Sequence, residues 1–166
     1  IETMYQKFFY LKEMPFHVTP DPKFLYLGTK HREAIELLRY GINKRKGFIV
    51  LTGEVGTGKT TICRALLEKL ADNVETALVL NPLLGPDELL KTVTNDLGLT
   101  PGGDEPGDSV KSHLDLLNTF LLDITEKGGN AVVIIDEAQN LSARALEMLR
   151  LISNLETESE KLIQII

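Results

Sequence analysis

Gly53-Glu54-Val55-Gly56-Thr57-Gly58-Lys59-Thr60, with Thr61 after it, is the stretch that decides how this chain is read. It follows the apolar run Phe48-Ile49-Val50-Leu51 and leads into Ile62-Cys63-Arg64-Ala65-Leu66-Leu67, a segment of helix-forming composition. Strand, tight glycine loop and helix are the setting required by the pattern G-x-x-x-x-G-K followed by Ser or Thr. Gly56 and Gly58 open backbone angles closed to other residues, so the loop can curl with its N–H groups inward. Those groups and the positive end of the following helix suit phosphate oxygens. Lys59 is placed to reach β- and γ-phosphates, and the Thr60 hydroxyl to hold Mg²⁺. The whole run from Gly53 to Thr61 is the expected nucleotide cradle.

Such a loop needs an acidic partner. Val132-Val133-Ile134-Ile135 is an apolar run that ends in Asp136-Glu137. An apolar strand delivers this pair at its carboxyl end, where open α/β sheets bind ligands. Asp136 is the candidate second support for Mg²⁺. Glu137 is the candidate that polarises a water against the γ-phosphate. Alone, four apolar residues and two acids are a weak signal, and a surface-facing strand end explains them as well. The upstream glycine loop gives them meaning. The neighbouring glutamate favours hydrolysis by an activated water over a nucleotide switch or a nucleotide kinase, and the guanine-reading N-K-x-D is absent.

The rest of the chain supplies alternating strands and helices. A helix is expected from about His31 to Lys44, capped by Thr29 or its neighbour, with Ala34, Ile35, Leu38 and Ile42 at helical spacing. Strand one is expected over Phe48–Thr52, buried on both faces, and helix two over about Lys59–Ala71. Ala77–Leu80 reads as strand two. A helix opens at Pro86, with proline early and acids in its first turn, and closes near Leu97-Gly98. Ser109 caps a long helix to about Lys127, with Leu114, Leu117, Leu121 and Ile124 along one face. Strand three is Ala131–Ile135, a helix covers about Ser142–Leu155, and Leu162–Ile166 begins a fourth strand. The fold class that follows is α/β, a parallel sheet with helices on both faces, truncated within the fourth core strand. Residues 1–166 read as one partial domain. Within it, 1–28 is an aromatic and proline-rich strap over the core, part of which could wall the adenine pocket, and 100–108 is an exposed loop. Met4 is the expected natural start, with Ile1-Glu2-Thr3 extraneous.

Composition narrows the function. The 166 residues are 43% hydrophobic and 25% charged, enough for a real core. The formal charge of −6, with no basic run, counts against non-specific binding to DNA or to anionic membrane. No run of about 18 apolar residues exists to span a membrane, and no secretory signal is visible. Cys63 is the single cysteine, which rules out an internal disulfide and fits a small core residue. His17, His31 and His113 are scattered, form no metal-ligand cluster and are assigned no chemistry. Gln139 and Asn140 read as a helix-entry turn, with γ-phosphate sensing as the sharper alternative. Arg144 and Arg150 read as a solvated helix face, with a neighbouring subunit's nucleotide as the alternative.

Several segments together resemble one family. They are Pro15-Phe16 with Thr19-Pro20-Asp21-Pro22, Phe24-Leu25-Tyr26-Leu27, His31-Arg32-Glu33-Ala34, Gly41-Ile42, Gly47-Phe48, the glycine loop, Ile135-Asp136-Glu137-Ala138-Gln139-Asn140-Leu141, and Leu149-Arg150-Leu151-Ile152-Ser153-Asn154-Leu155-Glu156-Thr157. This set is similar to the N-terminal ATPase core of the ExeA-type, or general secretion pathway A, proteins. The resemblance implies an AAA+ P-loop NTPase with sheet order 5-1-4-3-2, in which strand four lies between strands one and three. It implies ATP and Mg²⁺ as ligands. It also implies a cytoplasmic location with possible anchoring in the bacterial inner membrane, homo-oligomerisation in the full-length protein, and secretion or export membrane proteins as partners. Relatives in exopolysaccharide export loci and DNA-binding transposition ATPases are the alternatives, and DNA is the less favoured partner. A non-hydrolysing nucleotide-dependent scaffold is a third reading. The family's later sensor residues, fifth strand and helical lid have no counterpart in these residues, so nucleotide binding with feeble hydrolysis, or none, by this stretch alone is expected.

Overall fold

The computed structural model describes residues 4–13, 26–80, 83–100 and 109–166. In chain order the elements are α1 (Met4–Phe8), α2 (Thr29–Asn43), α3 (Lys59–Leu67), β1 (Val74–Val79), α4 (Pro86–Asp96), α5 (Val110–Glu126), β2 (Asn130–Ile135), α6 (Ala143–Ser153) and β3 (Ile163–Ile165). The three strands form a parallel sheet in the order β1-β2-β3, with Ala77 opposite Val133 and Val133 opposite Ile165. The segment before the glycine loop lies beside β3, where Phe48 bridges Ile165. Strand four therefore lies between the first and third apolar segments, as the family resemblance implies.

Side-chain alternation explains the layers. In β2, Ala131, Val133 and Ile135 pack with Leu89, Leu117, Leu121 and Ile152 of α4, α5 and α6. Val132 and Ile134 point the other way, toward Ile35, Leu38 and Ile42 of α2 and Ile62 and Leu66 of α3. Every residue of β2 is buried, the mark of a parallel strand covered on both faces. Helix starts follow elementary capping. The Ser109 hydroxyl accepts from the Ser112 N–H at the start of α5, and the Ser142 hydroxyl accepts from the Ala145 N–H at the start of α6. Glu88 accepts from the Gly85 N–H at the start of α4. Gly28, not Thr29, is the N-cap of α2, and it makes no side-chain cap bond.

The ends of the strands away from the glycine loop are pinned by a polar cluster. Arg45, at φ 48°, donates to the Gly129 carbonyl at 2.5 Å and pairs with Glu160 at 3.1 Å. Asn130 donates to the Ile42 carbonyl at 3.0 Å and accepts from the Ala131 N–H at 2.9 Å. The fully buried Gln164 accepts from the Gly47 N–H at 2.8 Å. Each of these buried polar groups is satisfied, as burial demands.

Four expectations need correction. Strand one is not a regular strand over Phe48–Thr52, nor is it buried on both faces. Only Gly47–Ile49 bonds to β3, through Ile49 N–H to the Ile165 carbonyl at 2.8 Å and Ile165 N–H to the Gly47 carbonyl at 2.7 Å. Val50 is 80% exposed and borders an open cavity. Helix two stops at Leu67 instead of Ala71, and strand two begins at Val74 instead of Ala77. The strand gains its first residues because β2 offers ladder partners from Asn130 onward. Finally, Phe8, Phe9 and Tyr10 are exposed, so that part of the expected strap does not cover the core. The remainder of the strap, including the segment suggested as an adenine wall, and residues 101–108 of the expected loop lie outside the described residues.

Candidate functional site

The glycine loop and the acidic strand end meet over one cavity of about 740 Å³, bordered by Gly53, Gly56, Gly58, Lys59, Asp136 and Glu137 among others. Gly56 and Gly58 sit at φ 80° and 84°, in the left-handed region that glycine enters without steric cost. Gly58 is the N-cap of α3, so the first free N–H groups of that helix open onto the loop. Lys59 folds back over it. Its ammonium donates to the carbonyls of Gly53 at 2.9 Å and Glu54 at 3.0 Å. The Thr57 hydroxyl closes the turn by donating to the Glu54 carbonyl at 2.8 Å. Two loop carbonyls thus hold the ammonium beside the free N–H groups at the start of α3, a positive setting suited to an oxyanion.

Across the cavity, Asp136 continues the β2 ladder, its N–H donating to the Val79 carbonyl at 3.0 Å. The hydroxyl of Thr60 donates to its carboxylate at 2.7 Å, and this contact ties the two halves of the site together. Glu137 is exposed and held at φ 54°, in the left-handed region, where a non-glycine residue is strained. Its N–H donates to the other Asp136 oxygen at 3.0 Å, and its own carboxylate accepts from the Gln139 amide. Gln139 and Asn140 form a single 3-10 turn, the helix-entry role expected of them, and Gln139 also contacts Glu137.

A hydroxyl and a carboxylate are hard oxygen donors, the chemistry Mg²⁺ takes. Magnesium keeps most of its water and needs only one or two protein carboxylates with substrate phosphates. Thr60 and Asp136 fit that demand. No group of three or more His, Cys, Asp or Glu able to cage a metal exists among the described residues.

Other candidates separate clearly. Arg150 forms an exposed pair with Glu147, bonded at 2.7 Å and 2.9 Å, so it lies on a solvated face, and Arg144 is exposed too. His113 is buried and hydrogen-bonds Thr94 at 2.9 Å, a core role. His17 lies outside the described residues. His31 is the residue sequence reasoning passed over. Its Nε2 lies 3.1 Å from the Thr57 carbonyl, on the glycine loop itself. The signal was available: His31 continues the core stripe Ile35, Leu38, Ile42 one turn upstream, an unusual place for a polar side chain.

Cys63 lies on α3, one turn beyond Thr60. Burial, and then the Asp136 carboxylate, push its thiol up to about 11, from an ordinary value of 9.0. The folded chain keeps this proton between those values, whereas the unfolded chain loses it. Stability from this group therefore falls as pH rises through the window. At pH 8 the folded protein is expected to resist a thiol-directed disulfide reagent and to react once denaturant is added. Rapid labelling without denaturant contradicts the buried placement.

Comparison with known proteins fits this geometry. Residues 42–166 match the family described as the AAA domain. The chain is 44% identical over 163 residues to general secretion pathway protein A of Aeromonas hydrophila, covering 98% of this chain and 29% of that relative. It thus spans less than a third of the relative's length. Among solved structures, the Aeropyrum pernix ORC2 protein, determined as ADPNP-ADP complexes, matches with a TM-score of 0.56. That match has 21% identity over 91% of this chain and 43% of the other, a likeness of fold. A glycine loop and an acidic strand end joined at 2.7 Å, on a parallel sheet of matching fold and under a family model that covers most of the sequence, lead to one statement of kinship: this chain belongs to the AAA domain family.

Proposed function

We propose that this chain binds ATP with Mg²⁺ and hydrolyses it, as the ATPase part of a protein that supports a secretion or export assembly. The observation that carries the reading is the 2.7 Å contact between Thr60 and Asp136, because it brings a hydroxyl at a helix N-terminus to a strand-end carboxylate beside the lysine. Gly53 to Thr61 receive the phosphates through backbone N–H groups. Lys59 lies against the β- and γ-phosphates. Thr60 and Asp136 hold the magnesium, which when bound neutralises phosphate charge. Glu137 takes the proton from a water that attacks the γ-phosphorus. The bond from that phosphorus to the bridging oxygen breaks, leaving ADP and inorganic phosphate.

The relative's name supports the process, and the ADPNP-ADP complexes of the structural neighbour support the ligand class. Membrane proteins of the assembly are the proposed partners, with the whole protein acting as a homo-oligomer near the inner membrane. No helix among the described residues is long and apolar enough to cross a membrane.

Calorimetric titration with ATP tests the reading. Binding is expected with magnesium and at least about tenfold weaker in EDTA, because the phosphates lose a divalent partner. Equal binding with and without the metal, or none at all, overturns it.

A further inference from the structure

We infer that His31 is a positioning residue for the glycine loop, fixing the Thr57–Gly58 peptide so that the Gly58 N–H faces the ligand cavity. This deepens the nucleotide reading above and rests on it for its effect on affinity. The argument begins with the peptide. A trans peptide points its carbonyl and its N–H in opposite directions, so holding one aims the other. The Thr57 carbonyl meets His31 Nε2 at 3.1 Å. Gly58 borders the cavity and His31 does not. Anchoring the carbonyl on the imidazole therefore turns the next N–H toward the ligand.

The imidazole chemistry is determined by its partner. A carbonyl only accepts, so Nε2 carries a hydrogen and donates it to the Thr57 carbonyl. Nδ1 is buried and has no hydrogen-bond partner among the described residues. Among the described residues, the polar contact that orients the ring is therefore the one through Nε2. The platform is stiff. His31 lies near the start of α2, whose Ile35, Leu38 and Ile42 are buried with Ile62 and Leu66 of α3. Position 58 is in contact range too, since a Cβ built on Gly58 lies 3.8 Å from Nε2. An oxyanion cradle works only if its donors are aimed before the ligand arrives. His31 supplies that aim from a residue 26 positions upstream.

Three variants test this. The amide nitrogen of glutamine reaches the place of Nε2, and that of asparagine reaches only the place of Nδ1. In calorimetric titration with MgADP, His31→Ala is expected to weaken binding about tenfold, the effect of one lost, well-placed hydrogen bond. His31→Gln should stay within about twofold of wild type, and His31→Asn should resemble alanine. Melting temperatures without nucleotide should stay within about 4 °C of wild type for all three. Equal affinity in His31→Ala, rescue by asparagine as good as by glutamine, or affinity losses that follow melting temperature would overturn the proposal. Nitrogen-15 spectra of the nucleotide-free imidazoles give a readout independent of ligand: His31 should carry hydrogen on Nε2. A bare Nε2 refutes the His31 contact alone, whereas a wild-type protein with hydrogen on Nε2 that binds no nucleotide refutes the ATP reading and the affinity role together.

Discussion

Glu137→Gln is expected to leave MgATP binding within about threefold of wild type and to lower turnover by about 10²–10⁴, the range of a lost general base. Glutamine has nearly the same shape and can still lie against Gln139, but it cannot take a proton from water. The backbone supports the split between binding and chemistry. Glu137 occupies a left-handed conformation at φ 54°, and its N–H is tied to Asp136. That strain belongs to the main chain and persists in the variant. One carboxylate oxygen, Oε2, accepts from Gln139, which leaves the other to meet a water. Single-turnover phosphate release with matched binding curves checks this. A variant that hydrolyses ATP at the wild-type rate removes Glu137 from the chemistry and favours a nucleotide-dependent scaffold.

Lys59→Ala should weaken MgATP binding about 100-fold, equivalent to roughly 2.7 kcal/mol at the standard conversion. An ammonium offers three donors, and in this structure two go to the Gly53 and Glu54 carbonyls. They hold the charge at the centre of the loop, so the lysine arrives already aimed. Hydrogen bonds to charged groups are each stronger than neutral ones, and here the phosphates bear most of the ligand's charge. Lys59→Arg should not restore affinity, because a planar guanidinium cannot replace a compact point charge between two carbonyls. Equilibrium binding of a fluorescent ATP analogue measures both variants. Alanine binding within about threefold of wild type would exclude Lys59 as a phosphate contact.

Much of the site was legible because its determinants are local. Gly56 and Gly58 announce positive φ, Lys59 and Thr60 follow at fixed spacing, and the glycine loop upstream gives meaning to an apolar run ending in Asp136. Adjacent strand ends made Thr60 and Asp136 expected neighbours, and they lie 2.7 Å apart. The misreadings concern properties that one segment does not own. Phe48–Thr52 has strand composition, but a strand also needs neighbours, and only its first residues have β3 beside them. Val74 became strand because Asn130 is opposite, a fact about another part of the chain. Glu137's positive φ carries no glycine to advertise it. His31 looked isolated because its partner carbonyl is 26 residues away and belongs to a backbone, which sequence patterns do not display.

The cluster around Arg45 bears on how motion is distributed. It binds residues 129, 130 and 160 together at the strand starts, with the Gly47 and Ile42 links beside it. The opposite rim holds the cavity, and there the residues from Thr52 to Thr57 are exposed. Protection against amide hydrogen exchange should therefore run as a gradient along each strand, slowest near Ala131 and fastest in the loop. A sheet clamped at one end and free at the other can let its rim adjust to an arriving ligand while the layers beneath keep their register.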